Sequence, residues 1–143
     1  VLVNSPIPIV FPIHPRTVRR LKKFGLYDKI VDRHHIQILP PCGYFEFLIL
    51  MKHCKVILTD SGGLQEESTV PLIKKPVLIL RKSTERPEAI HAGFARLVGT
   101  DAQKILRELM DVLNNPPVLP DKSPFGDGKA AKRIVNILEV KIN

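Results

Sequence analysis

The chain has 143 residues, 44% of them hydrophobic, which is enough for one domain with its own core. Two cysteines are too few for a disulfide scaffold and show no metal spacing, and no apolar run approaches the roughly 20 residues that cross a bilayer. The net charge of +8 does not point to nucleic acid: the basic residues fall mostly as singlets and pairs, and none of the six Phe and two Tyr interleaves with the densest cluster, Arg16 to Lys23.

The start, Val1-Leu2-Val3-Asn4-Ser5-Pro6, has no basic n-region and no initiator Met, so it reads as a chain that begins inside a longer protein. Ile7 to Ile13 reads as a strand, pushed to an edge by its prolines. Thr17 to Phe24 reads as a helix with a solvated basic face and Gly25 at C′. His35 to Leu39 is a second strand, and Pro40 to Gly43 a turn. Tyr44 to His53 is a helix whose apolar face is Phe47, Leu48, Leu50 and Met51, with His53 packing at its end. Lys55 to Leu58 is a buried strand, and a helix from Gly63 ends before Pro71. Pro76 to Leu80 and Ala95 to Val98 are further strands. Ala102 to Leu113 is a helix with Asp101 as N-cap. Asn114 to Gly128 is a proline-rich loop, and Gly128 to Val140 the last helix. Cys42 and Cys54 border apolar segments, so buried free thiols in a reducing cytoplasm are expected.

Strands alternating with helices imply right-handed crossovers and one parallel sheet covered on both faces. Ligands of such sheets bind beyond the carboxyl ends of the strands. His14, Pro40 to Gly43, Asp60 to Gly63 and Arg81 to Glu88 follow four successive strands and are expected on one rim. In Asp60-Ser61-Gly62-Gly63 the glycines let backbone N–H groups approach an anion at a helix start, and the Ser61 hydroxyl adds a donor. Glu66 and Glu67 lie one turn further on, and a carboxylate can accept two sugar hydroxyls at once. The same residues also fit a plain tight turn with Ser61 as a helix cap. Neither G-x-G-x-x-G nor G-x-x-x-x-G-K-[ST] is present, which weighs against a dinucleotide or ATP site.

Four blocks occur in order: Thr59-Asp60-Ser61-Gly62-Gly63-Leu64-Gln65-Glu66-Glu67, Thr84-Glu85-Arg86-Pro87-Glu88, Leu97-Val98-Gly99-Thr100-Asp101 and Pro124-Phe125-Gly126-Asp127-Gly128. Together they resemble the C-terminal half of the non-hydrolysing UDP-N-acetylglucosamine 2-epimerases, from about Phe11 to Leu138. The resemblance implies an α/β fold with a doubly wound, Rossmann-like parallel sheet, the C-terminal half of a two-domain glycosyltransferase-B-like architecture. Residues 1–143 would then be a partial UDP-binding domain, with the N-terminal catalytic domain and the first βα unit outside them. The family eliminates UDP across C1–C2 to give a glycal and adds it back to the other face, which interconverts UDP-N-acetylglucosamine and UDP-N-acetylmannosamine. Its acid–base carboxylates belong to the first domain. Its H-R-R-E-N segment, expected about one βα unit before Val1, has no counterpart here, so no catalytic residue is assigned to this chain.

Residue by residue, the resemblance assigns Ser61 and Gly62 to the diphosphate, Gly63 beside them to substrate binding, Glu67 to the ribose hydroxyls, Arg86 to the neighbourhood of the nucleotide and Phe47 to the uracil. His14 falls where many members carry V-H-x-N-P beside a regulatory UDP-sugar, but here Pro15-Arg16-Thr17 replaces the Asn-Pro pattern. Plainer roles compete: core packing for Phe47, a helix-dipole partner for Glu66, and an ion pair with Glu85 or Glu88 for Arg86. The link Ser68 to Pro76 is longer than usual and lacks the usual glycine, so the helix after Glu67 is expected to end differently. No cofactor and no metal are expected, since the remaining histidines form no ligand set. The implied partners are a UDP-sugar, the absent N-terminal domain and a second copy in a homodimer, with no nucleic acid and no membrane. The implied setting is a cytoplasmic enzyme of cell-surface polysaccharide synthesis. Two alternatives are a UDP-sugar-binding module without catalysis and a glycosyltransferase of the same architecture, against which the second and fourth blocks weigh.

Overall fold

The computed structural model describes residues 1–142, with side chains to Glu139. Strands β1 (Ile9–Pro12) and β2 (Ile36–Leu39) form one parallel ladder, Ile9 opposite Ile36. Strands β3 (Ile57–Thr59), β4 (Val77–Ile79) and β5 (Ala95–Leu97) form another, in the order β3-β4-β5, again parallel, with Val77 between Ile57 and Ala95. Helices α1 (Pro15–Lys23), α2 (Asp28–Val31), α3 (Tyr44–His53), α4 (Gly62–Glu67), α5 (Pro87–His91), α6 (Ala102–Asn114) and α7 (Ala130–Ile142) complete the chain after a short 3-10 turn, Leu2–Asn4.

The pleat sends successive side chains of β3–β5 to opposite faces. On one face Ile57, Val77, Ile79 and Ala95 meet Met51 of α3 and Ala89 of α5, with Phe47, Leu48 and Leu64 against them. On the other Leu78 meets Ile105, Leu109 and Val112 of α6, together with Val98. This is the doubly wound arrangement, and it leaves no residue of β4 more than 1% exposed.

The single sheet expected from the pattern is divided. Among the described residues no ladder joins β1 or β2 to β3, β4 or β5. Local apolar patterning marks a strand but not its neighbour, because pairing is decided between residues distant in sequence. The loops after β1 and β2 therefore share an end of one ladder, and those after β3 and β4 an end of the other.

Most elements stand within two residues of their expected bounds. Helix α1 begins two residues early, because Pro15 occupies its first turn and the His14 Nδ1 accepts the Arg16 N–H at 3.1 Å. Gly25, with φ of 62°, occupies the left-handed position after it. Strand β3 begins two residues later than Lys55 and ends one later than Leu58, and α4 begins at Gly62 rather than Gly63. Helices α2 and α5 are too short for periodicity to reveal. Asp101 caps α6 as expected, accepting the Lys104 N–H at 2.7 Å. His53 is not packed: it ends α3 exposed. Cys42 and Cys54 are unpaired and half-buried rather than fully buried. Burial pushes the Cys54 thiol pKa up against the opposing charge of Lys75, and its Sγ donates to the Met51 carbonyl at 3.1 Å.

The link after α4 turns back on itself. The Lys75 N–H turns back to the Ser68 carbonyl at 3.0 Å, and Lys74 sits at φ of 48°, where glycine is favoured. A left-handed conformation costs an L residue about 1–2 kcal/mol. Glycine's greater freedom in the unfolded chain offsets about 0.5–1 of that, and the exposed Lys74–Asp121 pair adds little. Lys74→Gly is expected to raise the unfolding free energy by about 0.5 kcal/mol. Lys74→Val, β-branched at positive φ, is expected to lower it by about 1 kcal/mol or more. Urea denaturation of the two variants measures both.

Candidate functional site

The site is built where β3 gives way to α4. Parallel pairing to β4 ends at Thr59, whose carbonyl accepts the Leu80 N–H at 2.8 Å. The buried Thr59 hydroxyl then accepts the Ser61 N–H at 3.0 Å and bends the chain outward. Ser61 takes the extended N-cap position of α4, with φ of −79° and ψ of 129°, yet its side chain makes no cap hydrogen bond. The helix-cap role considered for this hydroxyl is thus not realised. The Oγ stands exposed beside the first-turn N–H groups of α4, which an α-helix leaves without intrahelical acceptors.

Gly62 and Gly63 form the first turn of α4, and neither has positive φ. A Cβ on Gly62 would meet nothing within 4 Å, and one on Gly63 would meet only the Ser61 Oγ at 3.9 Å. Neither backbone conformation nor packing within the chain calls for glycine here. What the pair leaves is bare backbone beside donors, the setting in which an anion can come close.

The two glutamates separate clearly. Neither lies in the first turn of α4, so the helix-dipole role expected of Glu66 does not hold; a carboxylate near a helix C-terminus is disfavoured by the dipole. Glu66 instead receives the Arg86 guanidinium through Nε. That also corrects the expected partners of Arg86: Glu85 pairs with Arg81 at 3.1 Å, and Arg86 touches Glu85 only at its backbone carbonyl, at 3.0 Å. The carboxylate of Glu66 raises the Arg86 pKa, and the Arg81 guanidinium lowers that of Glu85.

Glu67 is half-buried, and among the described residues its carboxylate has no hydrogen-bond or ion-pair partner. Desolvation pushes its pKa up, and the adjacent Glu66 charge pushes the same way. A partly buried carboxylate with unused acceptors is suited to a ligand that brings hydroxyl donors.

The β4–α5 loop is fastened to α4 beneath these groups. The Thr84 Oγ donates to the Gln65 Oε1 at 2.6 Å, and the Gln65 Nε2 donates to the Ser61 carbonyl at 3.2 Å. Thr84 in turn accepts the Arg86 N–H at 3.1 Å. Gln65, fully buried, escaped the reading of the sequence; the signal was there in an amide set among apolar and charged neighbours of a short helix.

Ser61, Gly62, Gly63, Glu67 and Arg86 thus share one corner of the β3–β5 sheet. Phe47 lies in α3, half-buried against the cluster around Met51 and Ile57. His14 lies beyond β1 on the other ladder, exposed and engaged as a helix cap. An open depression of about 460 Å³ beside it is lined by Ile13, Pro15, Arg19 and Pro40 and does not reach the Ser61 turn. Among the described residues no group of His, Cys, Asp and Glu is placed to hold a metal ion, and no helix is long and apolar enough to cross a membrane.

Comparison with known proteins places this corner in context. The family profile described as UDP-N-acetylglucosamine 2-epimerase matches residues 2–139. The UDP-N-acetylglucosamine 2-epimerase of Methanocaldococcus jannaschii is 47% identical over 130 residues, 91% of this chain and 34% of that protein. The Campylobacter jejuni enzyme of that name is 38% identical over 145 residues, 96% of this chain and 36% of that protein. The chain therefore spans about a third of the length of these relatives. The crystal structure of the M. jannaschii epimerase in complex with UDP-GlcNAc and UDP superposes with a TM-score of 0.81 at 46% identity, covering 93% of this chain and 36% of that one. The Neisseria meningitidis epimerase bound to UDP-GlcNAc does so at 0.78 and 36% identity, covering 92% and 35%.

Two stability measurements check the local physics. Gly62→Ala and Gly63→Ala are each expected to leave the fold unchanged and to raise stability by up to about 0.5–1 kcal/mol, the usual gain over glycine in a helix. Glu67, with its raised pKa, contributes stability below its unfolded-state pKa and loses it as pH rises through the folded value. Wild type is expected to lose stability relative to Glu67→Gln as pH rises from about 4.3, the ordinary glutamate pKa, through the raised one. Thermal unfolding across that range checks the sign.

Proposed function

The chain belongs to the UDP-N-acetylglucosamine 2-epimerase family, and on that premise we propose that it is the UDP-binding part of an enzyme interconverting UDP-N-acetylglucosamine and UDP-N-acetylmannosamine. The observation that carries this is the pairing of two unused functions at one strand end. The Ser61 hydroxyl, which makes no cap hydrogen bond, lies beside the bare Gly62-Gly63 backbone, and the half-buried Glu67, without a partner among the described residues, follows within one short helix.

In this reading the diphosphate lies against the first turn of α4 and takes the Ser61 hydroxyl. Glu67 accepts both ribose hydroxyls, and the resulting charge-assisted hydrogen bonds repay its desolvation. Arg86, held by Glu66, adds positive charge near the nucleotide. Phe47 borders the uracil, and His14 faces the cleft from the other ladder. As UDP leaves C1, negative charge grows on its diphosphate, and fixed donors aimed there lower the barrier. The proton moves at C2 belong to carboxylates of a further domain, joined to this one along a cleft. The exposed apolar residues of α7, Ile134, Val135, Ile137 and Leu138, support such a neighbour. The whole enzyme would be a cytoplasmic homodimer serving cell-surface polysaccharide synthesis, and the unpaired Cys42 and Cys54 support a reducing compartment.

Titration of UDP against the chain tests the reading. Binding near the millimolar level is expected for half a cleft, which corresponds to about −4 kcal/mol, with amide shifts centred on Ser61 to Glu67. Glu67→Gln should weaken it by about 1.5–3 kcal/mol, and 2′,3′-dideoxy-UDP should lose as much from wild type but little more from the variant. Gly62→Ala should weaken UDP binding although it folds at least as stably. Unchanged affinity in Glu67→Gln would remove the ribose role, and shifts confined to β1 and β2 would move the site elsewhere.

A further inference from the structure

The Ser61 turn and the Thr84–Arg86 loop are separated by about twenty residues of sequence, yet adjacent residues of α4 join them. Gln65 takes the Thr84 hydroxyl and Glu66 takes the Arg86 guanidinium. The two links differ in kind. The Glu66–Arg86 pair is well exposed, 39% on each side chain, so solvent screens it. Gln65 is 0% exposed, and its amide bridges two partners that lie on different loops. Its Oε1 accepts from Thr84 at 2.6 Å, and its Nε2 donates to the Ser61 carbonyl at 3.2 Å.

Only a side chain that donates and accepts at once fills this place. An ionised glutamate would accept from Thr84 but set a charge against the Ser61 carbonyl, and an apolar residue would leave the partly buried Thr84 hydroxyl and Ser61 carbonyl without these bonds. Buried polar bridges of this kind are satisfied in one geometry, so they fix the relative position of what they join. Here they join the carbonyl of the residue that carries the free hydroxyl to the hydroxyl that holds the Arg86 backbone N–H at 3.1 Å. The Thr59 hydroxyl, by accepting the Ser61 N–H, anchors the same residue from β3.

We propose that Gln65 is a positioning residue: through Ser61 and Thr84 it holds the diphosphate turn and the Arg86 loop as one rigid unit. This rests on the nucleotide reading above for what the unit binds, but not for the coupling itself. With the bridge intact, a ligand meets both loops already in register and spends none of its binding on ordering them. With it cut, the turn keeps its local capping by Thr59 and the Arg86 loop keeps its ion pair, but their separation is no longer set.

The test cuts the bridge at Thr84, away from the nucleotide-contacting residues, in the full chain. Thr84→Val keeps shape and removes the hydroxyl; Thr84→Ser keeps the hydroxyl. Amide spectra of the ligand-free protein and UDP affinity are read for both, with melting temperature as a control. Thr84→Val is expected to shift the amide resonances of Ser61 to Gly63, about twenty residues away, and to weaken UDP binding about five- to tenfold. Thr84→Ser is expected to restore both. In a double-mutant cycle the loss on Ser61→Ala should be at least about threefold smaller in the Thr84→Val background, since coupled residues are non-additive. Unchanged Ser61–Gly63 resonances in Thr84→Val overturn the coupling, whether or not UDP binds. Shifted resonances with UDP affinity within twofold of wild type overturn the positioning role and leave a structural bond. If wild type itself binds no UDP, the nucleotide reading fails and the positioning role with it, while the ligand-free resonances still report on the coupling.

Discussion

Strand β4 is paired on both edges and covered on both faces, and the architecture around it follows from that burial. Val77, Leu78 and Ile79 are each 1% exposed or less. Each such side chain contributes about 1.5–3 kcal/mol when removed from water. The three can be buried together only if parallel neighbours satisfy the backbone and helices close both faces. β3 and β5 supply the first condition; α3 and α5 on one side and α6 on the other supply the second. Parallel connections of this kind bring β3 and β4 to the same end of the sheet. The Ser61 turn and the Thr84–Arg86 loop are neighbours for that reason, although neither is itself buried.

A rigid sheet end does not by itself place side chains. That is done by hydroxyls and one amide that work at short range: Thr59 on the Ser61 N–H, Thr84 on the Arg86 N–H, and Gln65 between the two loops. They leave the groups of functional interest unspent. The Ser61 hydroxyl, the first-turn N–H groups of α4 and the Glu67 carboxylate have no partner among the described residues, while neighbours of similar chemistry are engaged. The contrast between Glu66 and Glu67 is the clearest instance. Two adjacent glutamates differ because one reaches a guanidinium and the other is left partly desolvated beside a like charge.

Departures from the expected pattern carry physical content too. The long link after α4 turns back on itself through a lysine at positive φ, a conformation glycine would adopt without cost. Its hydrogen bond from Lys75 to Ser68 closes the loop beneath Ile73, which belongs to the same core cluster as Met51 and Val77. The link thus turns at the surface while the core contact of Ile73 is kept, as loops generally allow.

The amino-acid sequence by itself determined the succession of strands and longer helices, the cap at Asp101, the turn at Gly25 and the family to which the four blocks belong. These are local: apolar period, capping residue and contiguous motif are all read within a few residues. Tertiary structure alone decided which strands pair, why the sheet divides between β2 and β3, that Arg86 chooses Glu66 over Glu85 and Glu88, and that Gln65 joins two loops. Those outcomes depend on which groups meet across long sequence separations and on how much water remains between them. A one-dimensional pattern carries neither quantity. The spacing of Glu66 and Glu67 was visible from the start, but only the folded chain showed which of the two is free.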